Sequence, residues 1–348
     1  MGKRKADTGA DLNGPPATRR KKSQLKWIES QWETVMEFKK GVERMKKKGT
    51  KGVFVVRKVF GVPEDSSDPE YHRRELTMLK LLPACNRIVS PILIRSTQKP
   101  EEHTLIFRNY ALGDLWYWRR DRFTLWGLAV PEIHLWRILI QLSQALGVMQ
   151  RLIGPKRKGR PVMLHCDIKP ENILVEHNRT PYPNFKLHDF DLARPYSREY
   201  ANESTFSGTA IWQPPENPWI KTRAADVWSM AACVGFLVNG AYPVDYDKAN
   251  WMERLNPEEL ALAKKHRNEY LSEQLWFEAK AKRVFDPISP EYSANINYWL
   301  TQCLHFNPRR RPSVKRLMQQ MVPEGEAILR KLGGDVAITD LQVTFDES

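Results

Sequence analysis

The chain has 348 residues, with 55 Lys and Arg against 41 Asp and Glu, a formal net charge of +14, and 41% hydrophobic and 10% aromatic content. That length suits one large two-lobed domain or two ordinary ones, and the aromatic content, which includes 12 tryptophans, excludes a chain disordered throughout. No apolar run approaches the ~20 residues that span a bilayer, and the charged amino terminus lacks the apolar centre of a secretory signal, so no membrane partner is expected.

Residues 1–24 read as a disordered basic tail. Lys3-Arg4-Lys5 and Arg19-Arg20-Lys21-Lys22 flank a Gly/Pro/Ala/Asp spacer. This pattern resembles a bipartite nuclear-import signal, and implies an import receptor acting on residues 3–22 and a nuclear location, with a cytoplasmic one as the alternative. A merely solvated tail, or non-specific contact with nucleic acid or acidic membrane, is the plainer possibility; no specific nucleic-acid partner is expected. Order is expected from near Leu25.

Residues 52–59 are rich in β-branched Val and predict a strand, and residues 69–82 carry Leu76, Leu79 and Leu82 at helical spacing. Strands are expected at Ile88 to Ile94 and Thr104 to Phe107. Beyond Ala111 the pattern turns helical. Leu135, Trp136, Leu139, Leu142 and Leu146 mark a helix of about five turns. Ala224 to Leu237 is nearly all apolar and hence a central helix; its Val227 to Val238 stretch, broken by Ser229, suits a buried helix rather than a membrane span. Further helices are expected over Glu258 to Ala281, Ala294 to Leu304 and Ser313 to Met321. A tail follows from about Pro323, with a short helix over Glu326 to Leu332. Cys85, Cys166, Cys233 and Cys303 are scattered, with no CxxC spacing and no neighbouring His cluster. That argues against a zinc site or disulfide framework and for a reducing compartment.

The chemistry concentrates between residues 165 and 194. There His165-Cys166-Asp167-Ile168-Lys169-Pro170-Glu171-Asn172 is followed, after a strand-like stretch from Asn184 to Leu187, by His188-Asp189-Phe190-Asp191. One carboxylate to receive a proton, and an amide with a second carboxylate to hold metal ions, suit phosphoryl transfer. The order resembles the eukaryotic protein kinase family, Ser/Thr type, whose fold is α+β and bilobal. The resemblance implies a small strand-rich lobe with the hinge over 25–110, a large helical lobe over 111–322, and a tail over 323–348.

By that resemblance Asp167 is the catalytic base, Lys169 steadies the transferred phosphoryl group, and Asn172 and Asp189 ligate Mg²⁺. His165 and Phe190 are structural. Val55-Val56-Arg57-Lys58 occupies the place of the phosphate-binding strand lysine, Lys58, and Glu75 is its helix partner. Val56 and Leu174 enclose the adenine of ATP; Phe107, Asn109 and Tyr110 belong to the hinge. Thr209 and Glu216 lie in the substrate loop, Glu216 pairing with Arg311, and Asp226 anchors the catalytic loop. The implied activity is ATP- and Mg²⁺-dependent phosphorylation of Ser or Thr in protein substrates.

Three departures stand out. Cys166 replaces the arginine that pairs with a loop phosphate, which predicts independence from loop phosphorylation through that arginine. Asp191 replaces a glycine, and either adds a carboxylate at the metal site or faces solvent. In the place of a Gly-x-Gly-x-x-Gly hairpin stands Met36-Glu37-Phe38-Lys39-Lys40-Gly41-Val42, where Lys39 and Lys40 could compensate electrostatically. A pseudokinase scaffold that binds ATP without catalysis is therefore an alternative. A small-molecule kinase of the aminoglycoside or choline type also carries the residue 165–172 and 189–191 pattern. Such enzymes lack the Gly208-Thr209…Pro214-Pro215-Glu216, Asp226-Val227-Trp228-Ser229 and Asn307-Pro308…Arg311-Pro312 signatures, which favours a protein kinase.

Overall fold

In the computed structural model, residues 27–60, 71–96, 103–155, 159–197, 208–214, 222–240 and 292–346 are described. The basic segment 1–24, Glu216 and the helix expected over Glu258 to Ala281 lie outside them.

The amino-terminal part is a five-stranded antiparallel sheet built from β1 (Trp32–Lys39), β2 (Val42–Lys47), β3 (Phe54–Phe60), β4 (Leu93–Ser96) and β5 (His103–Arg108), in the order β1-β2-β3-β5-β4. A small core of Trp32, Met45, Val55 and Ile106 lies on one side. The β1–β2 hairpin carries little hydrophobic alternation, since Trp32 is the one buried residue of β1. Its polar face is tied instead by ion pairs. Arg57 donates to Glu43 (Nε to Oε2, 2.8 Å) and to Glu29.

Helix α1 (Tyr71–Leu81) turns Glu75, Leu76 and Met78 inward, matching the leucine spacing. The strand expected from Ile88 to Ile94 is shorter than its apolar run. Pro91 has no N–H to give to a ladder, and only Leu93–Ser96 pairs with β5. Ile88 instead bridges Leu187 in parallel, and the Val89 N–H donates to the Leu187 carbonyl (2.9 Å). These contacts join the small lobe to the chain two residues before Asp189.

The rest is helical. α2 (Leu115–Arg122) is capped by Asp114, whose Oδ1 accepts from the Tyr117 N–H at 2.9 Å. α3 (Glu132–Met149) is buried from Ile133 onward and packs against α4 (Arg223–Asn239), the apolar helix predicted over Ala224 to Leu237. Short pairs β6 (Met163–Leu164) with β9 (Arg194–Pro195), and β7 (Ile173–Glu176) with β8 (Asn184–Leu187), carry the catalytic segment. α5 (Ala294–Cys303) follows. No helix among the described residues is long and apolar enough to cross a membrane.

The carboxyl terminus differs from the sequence reading. A helical turn at Val314–Arg316 widens into a π turn over Leu317–Met321 and continues as α6 (Val322–Ala337), kinked at Gly333 and Gly334. Pro323 does not end the helix; it follows directly on the π turn, whose widened register precedes the proline's missing N–H. α6 packs on α3, and Leu329 is fully buried.

Beyond α6 the chain is strapped down by two buried arginines. Arg87 donates to the carbonyls of Asp340 (2.6 Å) and Gln342 (3.2 Å) and to Gln144 Oε1 (2.6 Å). Arg137 donates to the carbonyls of Ala337 (2.6 Å) and Thr339 (3.1 Å) and to Asn184 Oδ1 (2.8 Å). Asn86 exchanges backbone and side-chain bonds with Thr344, and the Asp346 N–H donates to Ala84 O (3.0 Å). The strap therefore ends against the linker between α1 and β4.

Candidate active site

β6 leads into the loop His165–Lys169, a 3₁₀ turn at Pro170–Asn172, and then β7. The β7–β8 hairpin returns the chain, so that residues 188–191 pass beside the loop before β9 pairs back onto β6. Short range fixes this crossing. The His188 N–H donates to Asn172 O (3.0 Å), and His188 Nε2 donates to Glu171 O (2.8 Å). His165 is fully buried; its Nε2 donates to His188 O (3.1 Å) while Nδ1 accepts from the Asp167 N–H (3.3 Å). Those two partners assign the Nε2–H tautomer. Its ring meets Phe190 edge to face at 5.0 Å.

Asp226, near the start of α4, reaches up from below. Its carboxylate accepts from the backbone N–H groups of His165 (2.9 Å) and Cys166 (3.1 Å). Burial pushes its carboxyl upward, and those two N–H groups oppose the shift. They hold Cys166 in the left-handed region at φ 65°. The Cys166 side chain is buried, and its carbonyl accepts from Gln213 Nε2 (3.1 Å). Gly208 (φ 104°) packs directly on this corner: a Cβ there would lie 2.4 Å from Cys166 O. Only glycine lets the Gly208-Thr209 segment lie this close to the loop.

The result is a closed network around Asp167. Oδ1 accepts from the N–H and the Oγ1 of Thr209, each at 2.8 Å. Oδ2 lies 3.0 Å from Lys169 Nζ and accepts from Asn172 Nδ2 at 3.1 Å. Lys169 also donates to Thr209 Oγ1 (2.8 Å). Asp167, Lys169, Asn172 and Thr209, predicted across more than 40 positions of sequence, are thus one cluster.

A second cluster lies across Phe190. Lys58 Nζ is 2.6 Å from Glu75 Oε2, 2.9 Å from Asp189 Oδ1 and 2.9 Å from Asp191 Oδ2. The Phe190 N–H donates to the other Glu75 oxygen (3.2 Å), which ties α1 to this segment. Burial works against the charged lysine, but the carboxylates of Glu75, Asp189 and Asp191 outweigh it and raise Lys58 above its ordinary range. Burial also opposes ionisation of Asp189; Lys58, His188 and Lys39 overcome it and keep its carboxyl below the usual range. Glu75, the deepest of the three, is pushed up to about 8 by burial, Lys58 only partly offsetting it.

Asp191 therefore faces the site rather than solvent. Its backbone is not in the left-handed region, so nothing in the local geometry requires the family's glycine. Glu75, Asp189 and Asp191 offer oxygens within 4.8 Å of one another, hard donors of the kind Mg²⁺ takes. Lys58 touches all three, but Glu75 is buried while Asp189 and Asp191 are partly open, which makes the outer two, with Asn172 nearby, the fitting metal-holding groups.

Val56 and Phe107 are direct cross-strand partners on β3 and β5, and Leu174 is half-buried and bridges Asp114. Asn109 follows β5 in the predicted connecting position. Tyr110 follows it; its ring lies 5.7 Å from Lys186 Nζ, and its carbonyl accepts from the Gly113 N–H (3.0 Å). Arg311 is buried and donates to the carbonyls of His305 and Ala224, its guanidinium over Trp228. The role of Gln213 on Cys166 had no signal in residue spacing.

The family model described as protein kinase domain matches residues 40–322. Among curated proteins, the chain is 29% identical over 232 residues to phytosulfokine receptor 1 of Arabidopsis thaliana, covering 62% of this chain and 20% of that protein. It is 24% identical over 200 residues to the leucine-rich repeat receptor-like protein kinase PEPR2 of the same plant (55% and 17%). It is 27% identical over 201 residues to the serine/threonine-protein kinase PKZ1 of Phytophthora infestans strain T30-4 (53% and 47%). The chain spans less than half the length of each of these relatives. With the family match covering most of its residues and the bilobal fold and both residue clusters in place, the chain belongs to the protein kinase family.

Proposed function

We propose that the chain transfers the γ-phosphoryl group of ATP to Ser or Thr hydroxyls of protein substrates, with Mg²⁺ as the bound metal. The observation that carries this reading is the closure of both clusters at once: Lys58 with Glu75 and Asp189, and Asp167 with Lys169, Asn172 and Thr209. The bond formed joins the acceptor oxygen to the γ-phosphorus, and the bond broken frees ADP. Asp167 accepts the hydroxyl proton. Both of its oxygens are engaged, so the acceptor takes the position now held by Thr209 Oγ1 on Asp167 Oδ1. Lys169, within reach of both, sits where charge builds on the transferred group. Asp189, Asp191 and Asn172 would hold Mg²⁺, which when bound neutralises phosphate charge. Lys58, aimed by Glu75, would bind the phosphates nearer the adenosine.

The filled Asp167 carboxylate and the hairpin without its glycines favour a second reading, an ATP-binding scaffold without catalysis. Mg²⁺-dependent thermal stabilisation by ATP, followed by phosphate incorporation into a protein acceptor, separates the two. Stabilisation with incorporation into Ser or Thr is expected. Stabilisation without incorporation sinks the enzyme reading, and turnover of a small alcohol with no protein labelling replaces the substrate class.

A further inference from the structure

The β1–β2 hairpin lies where a phosphate-cradling glycine loop would, yet its backbone is committed elsewhere. Lys39 pairs with Val42, so Lys40 and Gly41 alone make the turn. Gly41 (φ 77°) serves the neighbouring strand: its carbonyl accepts from the Val59 N–H (2.8 Å), and a Cβ would lie 3.0 Å from Val59 O. A turn this tight, with its glycine packed on β3, offers no open row of N–H groups to a phosphate.

The side chains offer something else. Residues directly opposite each other in an antiparallel ladder project to the same face. Lys39 lies opposite Val42, and Val42 opposite Lys58, so Lys39 shares a row and a face with the lysine of the catalytic cluster. Met36, Arg44 and Val56 form the next row on that face, while Glu37, Glu43 and Arg57 form the row on the other. Strict alternation from Met36 would turn residue 39 away. The register shift between Glu37 and Lys39 inserts Phe38 as an extra residue and brings Lys39 back to the active-site face. Phe38 is left 56% exposed.

Lys39 Nζ lies 3.8 Å from Asp189 Oδ2, while Lys58 takes Oδ1. Two ammonium groups thus share one carboxylate, one at each oxygen. Lys58 is nearly buried and held by three carboxylates; the Lys39 side chain is 61% exposed, in long-range contact with Asp189, and so able to turn to an incoming anion.

We propose that Lys39 binds the terminal phosphates of the nucleotide through its ammonium group, in place of glycine-loop amides. This rests on the ATP-dependent reading above and adds a residue to it. The bulge aims the side chain, and Asp189 holds it at the metal-binding edge until the phosphates arrive.

The test is equilibrium binding of ATP and of adenosine to the full chain, wild type against Lys39→Ala and Lys39→Arg. Losing one charge-assisted contact should weaken ATP about tenfold in Lys39→Ala, with adenosine affinity unchanged and ATP affinity largely restored in Lys39→Arg. Lys39→Ala binding ATP as tightly as wild type overturns the proposal and leaves Lys39 as a surface partner of Asp189. Equal weakening of ATP and adenosine overturns it too, since the hairpin would then be acting through fold. If wild type binds adenosine but gains nothing from the phosphates, the ATP-dependent reading fails as well, a result distinct from the other two.

Discussion

Asp191 shares Lys58 with Glu75 and Asp189, which places its carboxylate beside the position where phosphates would lie. Its substitution should therefore ease nucleotide entry. Asp191→Asn removes one competitor for Lys58, one repulsive charge and one metal donor; without Mg²⁺, binding of ATP should tighten roughly three- to tenfold in titration calorimetry, with Mg²⁺ that gain should shrink, and unchanged Mg²⁺-free binding would show that the Asp191 charge does not oppose the nucleotide. His134 poses a different residue-scale question. It is buried against Trp118, Phe123 and Tyr182, and burial, aided by the nearby Arg137 charge, lowers it from 6.5 to about 4. A lowered histidine favours the fold fully above its unfolded value and progressively less as pH falls from 6.5 towards 4. That loss should reach on the order of 2 kcal/mol by pH 5. Melting temperatures at pH 7 and pH 5 should fall further apart for wild type than for His134→Phe, and equal differences would remove His134 as the cause.

Among the elements, the strap after α6 was the least legible from sequence. Pro323 and the polar residues after it resemble a tail, and residues 338–346 carry no periodicity of their own. What fixes them is long-range: Arg87 and Arg137, each fully buried, need carbonyl acceptors and find them between Ala337 and Gln342. Burial pulls both guanidinium groups down to about 10, so they remain charged at neutral pH and cannot escape the need for partners. Deleting residues 338–348 would take the Asp340 and Gln342 carbonyls from Arg87 and the Thr339 carbonyl from Arg137, leaving two buried cations under-satisfied. It should lower the melting temperature by roughly 10 °C or more, since breaking a buried charge's pairing costs several kcal/mol. An unchanged melting temperature would show that water replaces the strap. The β1–β2 hairpin was hidden for a related reason: its strands are held by Arg57, Glu43 and ladder bonds rather than by an apolar face. By contrast, α1, α3 and α4 were visible because each buries a stripe whose spacing lies in the sequence itself.

At the scale of the whole molecule, the candidate catalytic residues were legible because the proposed phosphoryl transfer needs few groups in a fixed order, and short loops hold most of them. The order gave Asp167, Lys169, Asn172 and Asp189, while the crossing of two short strand pairs gives their distances. Spacing could not show which way Asp191 points, since its role depends on Lys58, which lies 133 positions away. Nor could it show that Asp226 and Gln213 grip the loop at Cys166, where an arginine for a loop phosphate is absent. Asp226 and Gln213 support the loop with no phosphate involved, which fits activity independent of phosphorylation through that position. The most direct measurement is phosphate transfer from ATP to Ser or Thr in a protein acceptor by wild type and by Asp167→Asn, with ATP binding followed in both. Asp167 as the proton acceptor predicts transfer by wild type, a loss of at least about 10²-fold in Asp167→Asn, and retained ATP binding. Equal transfer by the two proteins, or none by wild type despite ATP binding, would contradict it.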